Sequence, residues 1–162
     1  MKALVDHLSQ LIALPSISSA NPAPDTSKRP VIDWLANQLS ERGFSIEIQT
    51  VTEAIDGQQA GKFNLIATLG TGSGGLVLAG HTDTVPFDEQ QWQSNPFQLL
   101  DANHRFYGLG STDMKGFFAL VIKAITDIQP QLGNQQLQQP LIILATADEE
   151  TSMAGAKALA AA

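Results

Sequence analysis

Leu141-Ile142-Ile143-Leu144-Ala145-Thr146-Ala147-Asp148-Glu149-Glu150 decides the fold class. The apolar run over 141–146 reads as a core strand, and an acidic turn closes it. Two segments upstream repeat the arrangement. Leu76-Val77-Leu78-Ala79 runs into Gly80-His81-Thr82-Asp83, and Tyr107-Gly108-Leu109-Gly110 runs into Ser111-Thr112-Asp113-Met114-Lys115-Gly116. Each segment delivers a His or a carboxylate to the end of a buried element, which is how an α/β protein builds a metal-assisted hydrolytic site.

Around these segments the pattern alternates between helix and strand. Leu4, Leu8, Leu11 and Ile12 share a helical face, so 3–13 reads as an amphipathic helix ended by Pro15. Residues 15–30 read as a Ser- and Pro-rich loop, and Val31 to Arg42 as a helix with Trp34, Leu35 and Leu39 inward, stopped by Gly43. Phe44, Ile46 and Ile48 alternate with polar residues, as in a half-buried strand. Residues 52–61 form a polar loop, and 64–69 and 76–79 are apolar strands. They flank Gly70-Thr71-Gly72-Ser73-Gly74-Gly75. A phosphate-binding glycine run opens a helix, whereas here a strand follows, so a flexible hairpin connection is expected.

Residues 87–104 read as irregular, anchored by Trp92 and Phe97. Gly116 to Ile128 reads as a helix with Phe117, Leu120, Val121 and Ala124 inward; 129–139 is a solvated, Gln-rich loop, and 154–162 a short Ala-rich helix. No repeat and no domain boundary stand out. The order predicts an α/β fold, a mixed sheet with helices on both faces. The chain stops inside a helical stretch, so 1–162 is expected to be the front part of a longer protein.

Composition narrows the function. The chain has 162 residues, 43% of them hydrophobic, enough for one domain with a core. A formal net charge of -7 argues against nucleic acid or an anionic membrane as partner. No run is apolar enough to span a bilayer, the N-terminus lacks the order of a signal peptide, and a cytoplasmic protein fits. With no cysteine, thiolate zinc sites are excluded, and any metal must sit on His, Asp and Glu.

Each cluster has two readings. His81 and Asp83 point to one side of an extended chain, so His81 can bind a metal while Asp83 fixes its tautomer; the pair can equally be a turn in which Asp83 caps Thr84 or Val85. Asp113 can bridge two metal ions or cap a helix N-terminus. Glu149 and Glu150 can divide metal binding and proton transfer between them, or form a solvated acidic turn with Asp148. Lys115 reads as solvated, and His7 and His104 as surface residues. Together, the clusters supply one His and at least three carboxylates, a donor set suited to zinc, cobalt or manganese.

Gly80-His81-Thr82-Asp83-Thr84-Val85-Pro86, Tyr107 to Gly116 and Thr146-Ala147-Asp148-Glu149-Glu150-Thr151-Ser152 resemble the motifs of the zinc aminoacylase and carboxypeptidase family, in the same order and along essentially the whole chain. Phe87-Asp88, Leu109, Ser111-Thr112, Phe117-Phe118 and Thr151-Ser152-Met153-Ala154-Gly155 are more similar to the branch that acts on N-acetylornithine than to the one that desuccinylates succinyl-diaminopimelate.

The resemblance implies a zinc-peptidase-like catalytic domain with two ions, Zn2+ or Co2+. His81 would bind one, Asp113 bridge both and Glu150 bind the second. Glu149 would be the general base and then the general acid, and Asp83 would support His81. A cis peptide would follow Asp113. Deacetylation of N2-acetyl-L-ornithine in arginine biosynthesis would be the reaction, and the substrate a small N-acyl amino acid. Family members continue well beyond this chain, which implies a further carboxylate, a further His and a dimerisation domain outside it, a homodimer at full length, and no turnover by the isolated piece. The other readings are a sibling desuccinylase or dipeptidase, or a non-catalytic assembly module that retains the motifs.

Overall fold

Arg29-Pro30 opens a helix two residues earlier than the apolar pattern suggests, because proline in a first turn lacks an N–H that would have no partner there. The computed structural model describes residues 2–53, 60–132 and 137–161. Its elements are α1 (Lys2–Ile12), α2 (Arg29–Ser40), β1 (Ser45–Thr52), β2 (Lys62–Leu69), β3 (Leu76–His81), β4 (Leu100–Ala102), β5 (Arg105–Tyr107), α3 (Lys115–Leu132), β6 (Leu141–Thr146) and α4 (Ala154–Ala160). Most of the polar loop expected over 52–61 lies outside the described residues. No helix among them is long and apolar enough to cross a membrane.

The main sheet runs β1-β2-β6-β3. β1 and β2 are antiparallel, β2 and β6 are antiparallel, and β3 and β6 are parallel, so the sheet is mixed as expected. Alternation along β2 separates its faces. Leu65 and Ala67 are fully buried in a core with Leu11, Val31, Leu35 and Ile122, from α1, α2 and α3. Asn64 points the other way and donates to the carbonyl of Gly155 in α4 at 2.9 Å. Helices therefore cover both faces.

Three local expectations are corrected. The glycine run at 70–75 is not a hairpin, because β6 inserts between β2 and β3. Gly75 sits where β3 meets the start of β6: the Leu76 N–H donates to the Pro140 carbonyl at 3.0 Å. Gly75 has φ +96, and a Cβ there would fall 2.0 Å from that carbonyl oxygen. The stretch 87–104 is not wholly irregular. Its end joins Arg105–Tyr107 in a small hairpin, β4 with β5, turned by Asn103 and His104 at φ 55 and 58. In α3 the inward face is Phe118, Ala119, Val121, Ile122 and Ile125, with Phe117 packed against the same core, whereas Leu120 is 57% exposed and Ala124 is exposed as well. The expected face holds at Phe117 and Val121 and fails at Leu120 and Ala124, because the buried stripe is centred one residue further along, about 100° around a helix.

Candidate metal centre

β3 and β6 are parallel and in register, His81 opposite Thr146, so both chains leave the sheet at the same end. The Thr82 N–H donates to the Thr146 carbonyl at 2.8 Å, and the Thr146 hydroxyl to the Gly80 carbonyl at 3.2 Å. Residues 82–84 and 147–150 therefore turn away side by side. The segment after α1 braces them: Ile17 bridges Thr84, and the Ser16 hydroxyl donates to the Thr82 carbonyl at 2.7 Å.

His81 is buried, with Nδ1 3.0 Å from the main-chain oxygen of Asp83. A carbonyl only accepts, so Nδ1 carries a proton, and Nε2 is the nitrogen presented to the site. It lies 3.0 Å from Asp113 Oδ1 and 4.0 Å from Glu149 Oε2. Ligand atoms of His81, Glu149 and Glu150 all lie within 4.8 Å of one another. Asp113 precedes α3 across a cis peptide to Met114, and Met114 Sδ accepts the His81 N–H at 3.3 Å. The structure thus brings His81, Asp113, Glu149 and Glu150 together. Residues 149–150 lie in a turn, which lets adjacent carboxylates face one cluster.

Asp83 is fully buried and works in two directions. Its main chain holds His81, while its carboxylate accepts the N–H groups of Glu149 at 3.2 Å and Glu150 at 3.1 Å. The sequence pointed to the His81 role; the grip on the glutamate turn comes from pairing β3 with β6.

The electrostatics suit a cation. Burial opposes charge on His81, but Asp83 and Asp113 outweigh it and raise the imidazole to about 9. Burial raises the Glu150 carboxyl above its ordinary value; His81 opposes the rise, and Asp113, Glu149 and Asp83 add to it. Burial would raise Asp83 too, but its bonds to His81 and to the two glutamate N–H groups hold it low. An imidazole nitrogen and several mutually repelling carboxylates fit a divalent metal bound by nitrogen and oxygen.

Two readings of neighbouring residues are corrected. Lys115 is not solvated. It is 1% exposed, its Nζ donates to the Leu14 carbonyl at 2.6 Å, and burial lowers it to about 8. Asp148 does not belong to a solvated turn. It is fully buried at φ 65, and although burial disfavours its charge, Lys62, Ser152 and Thr151 bring it down to about 2. Lys62 and Asn64 were missed; the available signal was two polar residues alternating on one face of an otherwise apolar strand. His104 is exposed in its turn, and His7 is half-buried with its ring edge-on to Trp34, centroids 6.0 Å apart.

A model of the family described as Peptidase family M20/M25/M40 matches residues 77–162. The chain is 54% identical over 161 residues to an acetylornithine deacetylase of Proteus mirabilis, covering 99% of this chain and 39% of that protein. It is 52% identical to one of Photorhabdus laumondii, over 97% of this chain and 38% of the relative. The chain thus spans about two-fifths of the length of these curated relatives.

Human carnosine dipeptidase 1 superposes with TM-score 0.80 at 22% identity, over 98% of this chain and 34% of that one. The metallo-carboxypeptidase Sso-CP2 of Sulfolobus solfataricus superposes with TM-score 0.67 at 20% identity, over 93% and 32%. These two likenesses speak for the fold, and the match over 77–162, which includes His81, Asp83, Asp113, Glu149 and Glu150, speaks for descent: the chain belongs to peptidase family M20/M25/M40.

Proposed function

We propose that this chain is the N-terminal portion of the catalytic domain of a metal-dependent amidohydrolase, which removes the acetyl group from N2-acetyl-L-ornithine to give L-ornithine and acetate in arginine biosynthesis. The observation that carries the chemistry is the convergence of His81 Nε2 with Asp113 at 3.0 Å and with the carboxylates of Glu149 and Glu150. The choice of substrate rests on 54% identity to an acetylornithine deacetylase.

In this reading His81, through Nε2, would help to hold one ion, Glu150 a second, and Asp113 would be shared between them. Two ions, Zn2+ or Co2+, would supply Lewis acidity, polarising the amide carbonyl and making water a nucleophile near neutral pH. Glu149 takes no part as a ligand. With its side chain 46% exposed at the mouth of the cluster, it receives the proton of the attacking water and passes it to the leaving nitrogen. Asp83 keeps His81 in one tautomer and aims the glutamate turn.

A further carboxylate, a further His and a dimerisation domain would come from sequence beyond this piece, in a cytoplasmic homodimer. The 162-residue chain alone should then hydrolyse no N-acetylornithine. The test uses a polypeptide of the relatives' length carrying this sequence. Glu149→Gln should retain its metal and lose roughly 10²–10⁴-fold in turnover, whereas Glu150→Ala should lose metal by elemental analysis. The reverse pattern would exchange the two roles. Faster turnover of a succinylated diamino acid or a dipeptide would move the enzyme to a sibling activity.

A further inference from the structure

We infer that Lys62 and Asp148 form a positioning pair: from the face of β2 opposite the core they fix the turn that aims Glu149 and Glu150 into the cluster. The inference rests on the roles proposed above for the two glutamates.

Asp148 is the residue at which the chain leaving β6 reverses. Its φ of 65 lies in the left-handed region, where a non-glycine residue stays only if its surroundings hold it there. Those surroundings are visible. The side chain has no exposed surface. Its carboxylate accepts from Lys62 Nζ, from the Thr151 hydroxyl at 2.5 Å and from the Ser152 hydroxyl. Its carbonyl accepts the Met153 N–H at 2.7 Å. The next two N–H groups, of Glu149 and Glu150, go to Asp83. The glutamate turn is thus gripped from β3's side by Asp83 and from β2's side by Lys62 acting through Asp148.

β2 grips the same segment a second time. Asn64 shares the face of Lys62 and is fully buried. Its Oδ1 accepts the Ala147 N–H at 3.1 Å, and its Nδ2 donates to the Gly155 carbonyl at 2.9 Å. Asn64 therefore holds the segment on both sides of the turn, at 147 and at 155, and Lys62 holds the turn between them.

A contribution to stability alone explains this poorly, since a buried ion pair seldom stabilises more than well-packed apolar side chains do. Geometry explains it better. A ligand and a proton carrier one residue apart must each be held to within about 0.5 Å, and that needs support beyond the groups in the cluster. Among the described residues the Lys62 ammonium pairs with Asp148 and with none of His81, Asp113, Glu149 or Glu150, so it positions rather than catalyses.

The test again uses the polypeptide of the relatives' length. Lys62→Met should lower kcat per metal-loaded site roughly 10–100-fold, the range found when support of a metal site is lost, with KM little changed. In the metal-free protein the amides of Glu149 and Glu150 should exchange hydrogen faster by a comparable factor. Lys62→Arg should restore most of both. Thr151→Val, an exposed change that leaves the strand intact, should give a smaller loss of the same kind.

Lys62→Met with full kcat per loaded site and only a lower melting temperature would overturn the pair's role, as would Lys62→Arg failing as completely as Lys62→Met. Glu149→Gln in the same assays separates the two levels. If it is inactive while Lys62→Met is fully active, only this inference falls. If Glu149→Gln is itself fully active, the reading of the glutamates falls and this one with it.

Discussion

Two histidines of one chain show how surroundings decide chemistry. His81 has carboxylates on both sides and is raised to about 9. His7 is lowered instead, first by burial and then by Arg42, with Asp6 opposing, and its Nδ1 is buried without a hydrogen-bond partner. The sign for stability follows. With a folded pKa below the unfolded 6.5, the unfolded chain binds more protons around and below that pH. His7 therefore makes stability fall as pH drops through 6.5. His7→Phe, which keeps a ring against Trp34, should flatten the decline in urea midpoint between about pH 7 and about pH 5. An unchanged slope would mean that His7 does not drive it.

At the scale of elements, the glycine at the junction of β3 and β6 gives the clearest prediction. Gly75→Ala would put a methyl carbon 2.0 Å from the Pro140 carbonyl at a φ of +96. The strand must shift or lose its first hydrogen bond, so a cost of about 1–3 kcal/mol in urea unfolding is expected.

The same junction marks where the sequence stops being legible. Alternation and apolar runs located β1, β2, β3 and β6 to within a few residues, because burial is written residue by residue. They carry no record of which strand neighbours which, and so a connection that passes β6 read as a hairpin. The candidate site divides in the same way. His81, Asp83, Asp113, Glu149 and Glu150 stood out because reactive side chains cluster at the ends of buried runs. Lys115 did not, because the acceptor that buries it, the Leu14 carbonyl, is 101 residues away. Lys62 and Asn64 escaped because polarity on the face of a strand away from the core looks like solvent exposure.

For the whole molecule, the open side of the sheet matters most. Among the described residues β3 pairs only with β6, and Leu76 and Val77 are 57% and 49% exposed. An unpaired edge with apolar side chains is a template for further strand pairing. The 162-residue chain produced alone should therefore self-associate, and Val77→Lys should shift it toward the monomer in size-exclusion chromatography. Equal elution of the two would place the association elsewhere.

The strand order also sets a schedule for biosynthesis. β1 and β2 can close on each other as soon as both have left the ribosome, but β3 must wait for everything from 82 to 140 to be made before β6 arrives to pair with it. At ~5–20 residues per second the wait lasts several seconds. β6 lies between β2 and β3, so neither pairing can form before it is made. The pairing that closes the sheet is also the one that brings the glutamate turn beside His81, so the nascent chain has no share of a site until its sheet is complete.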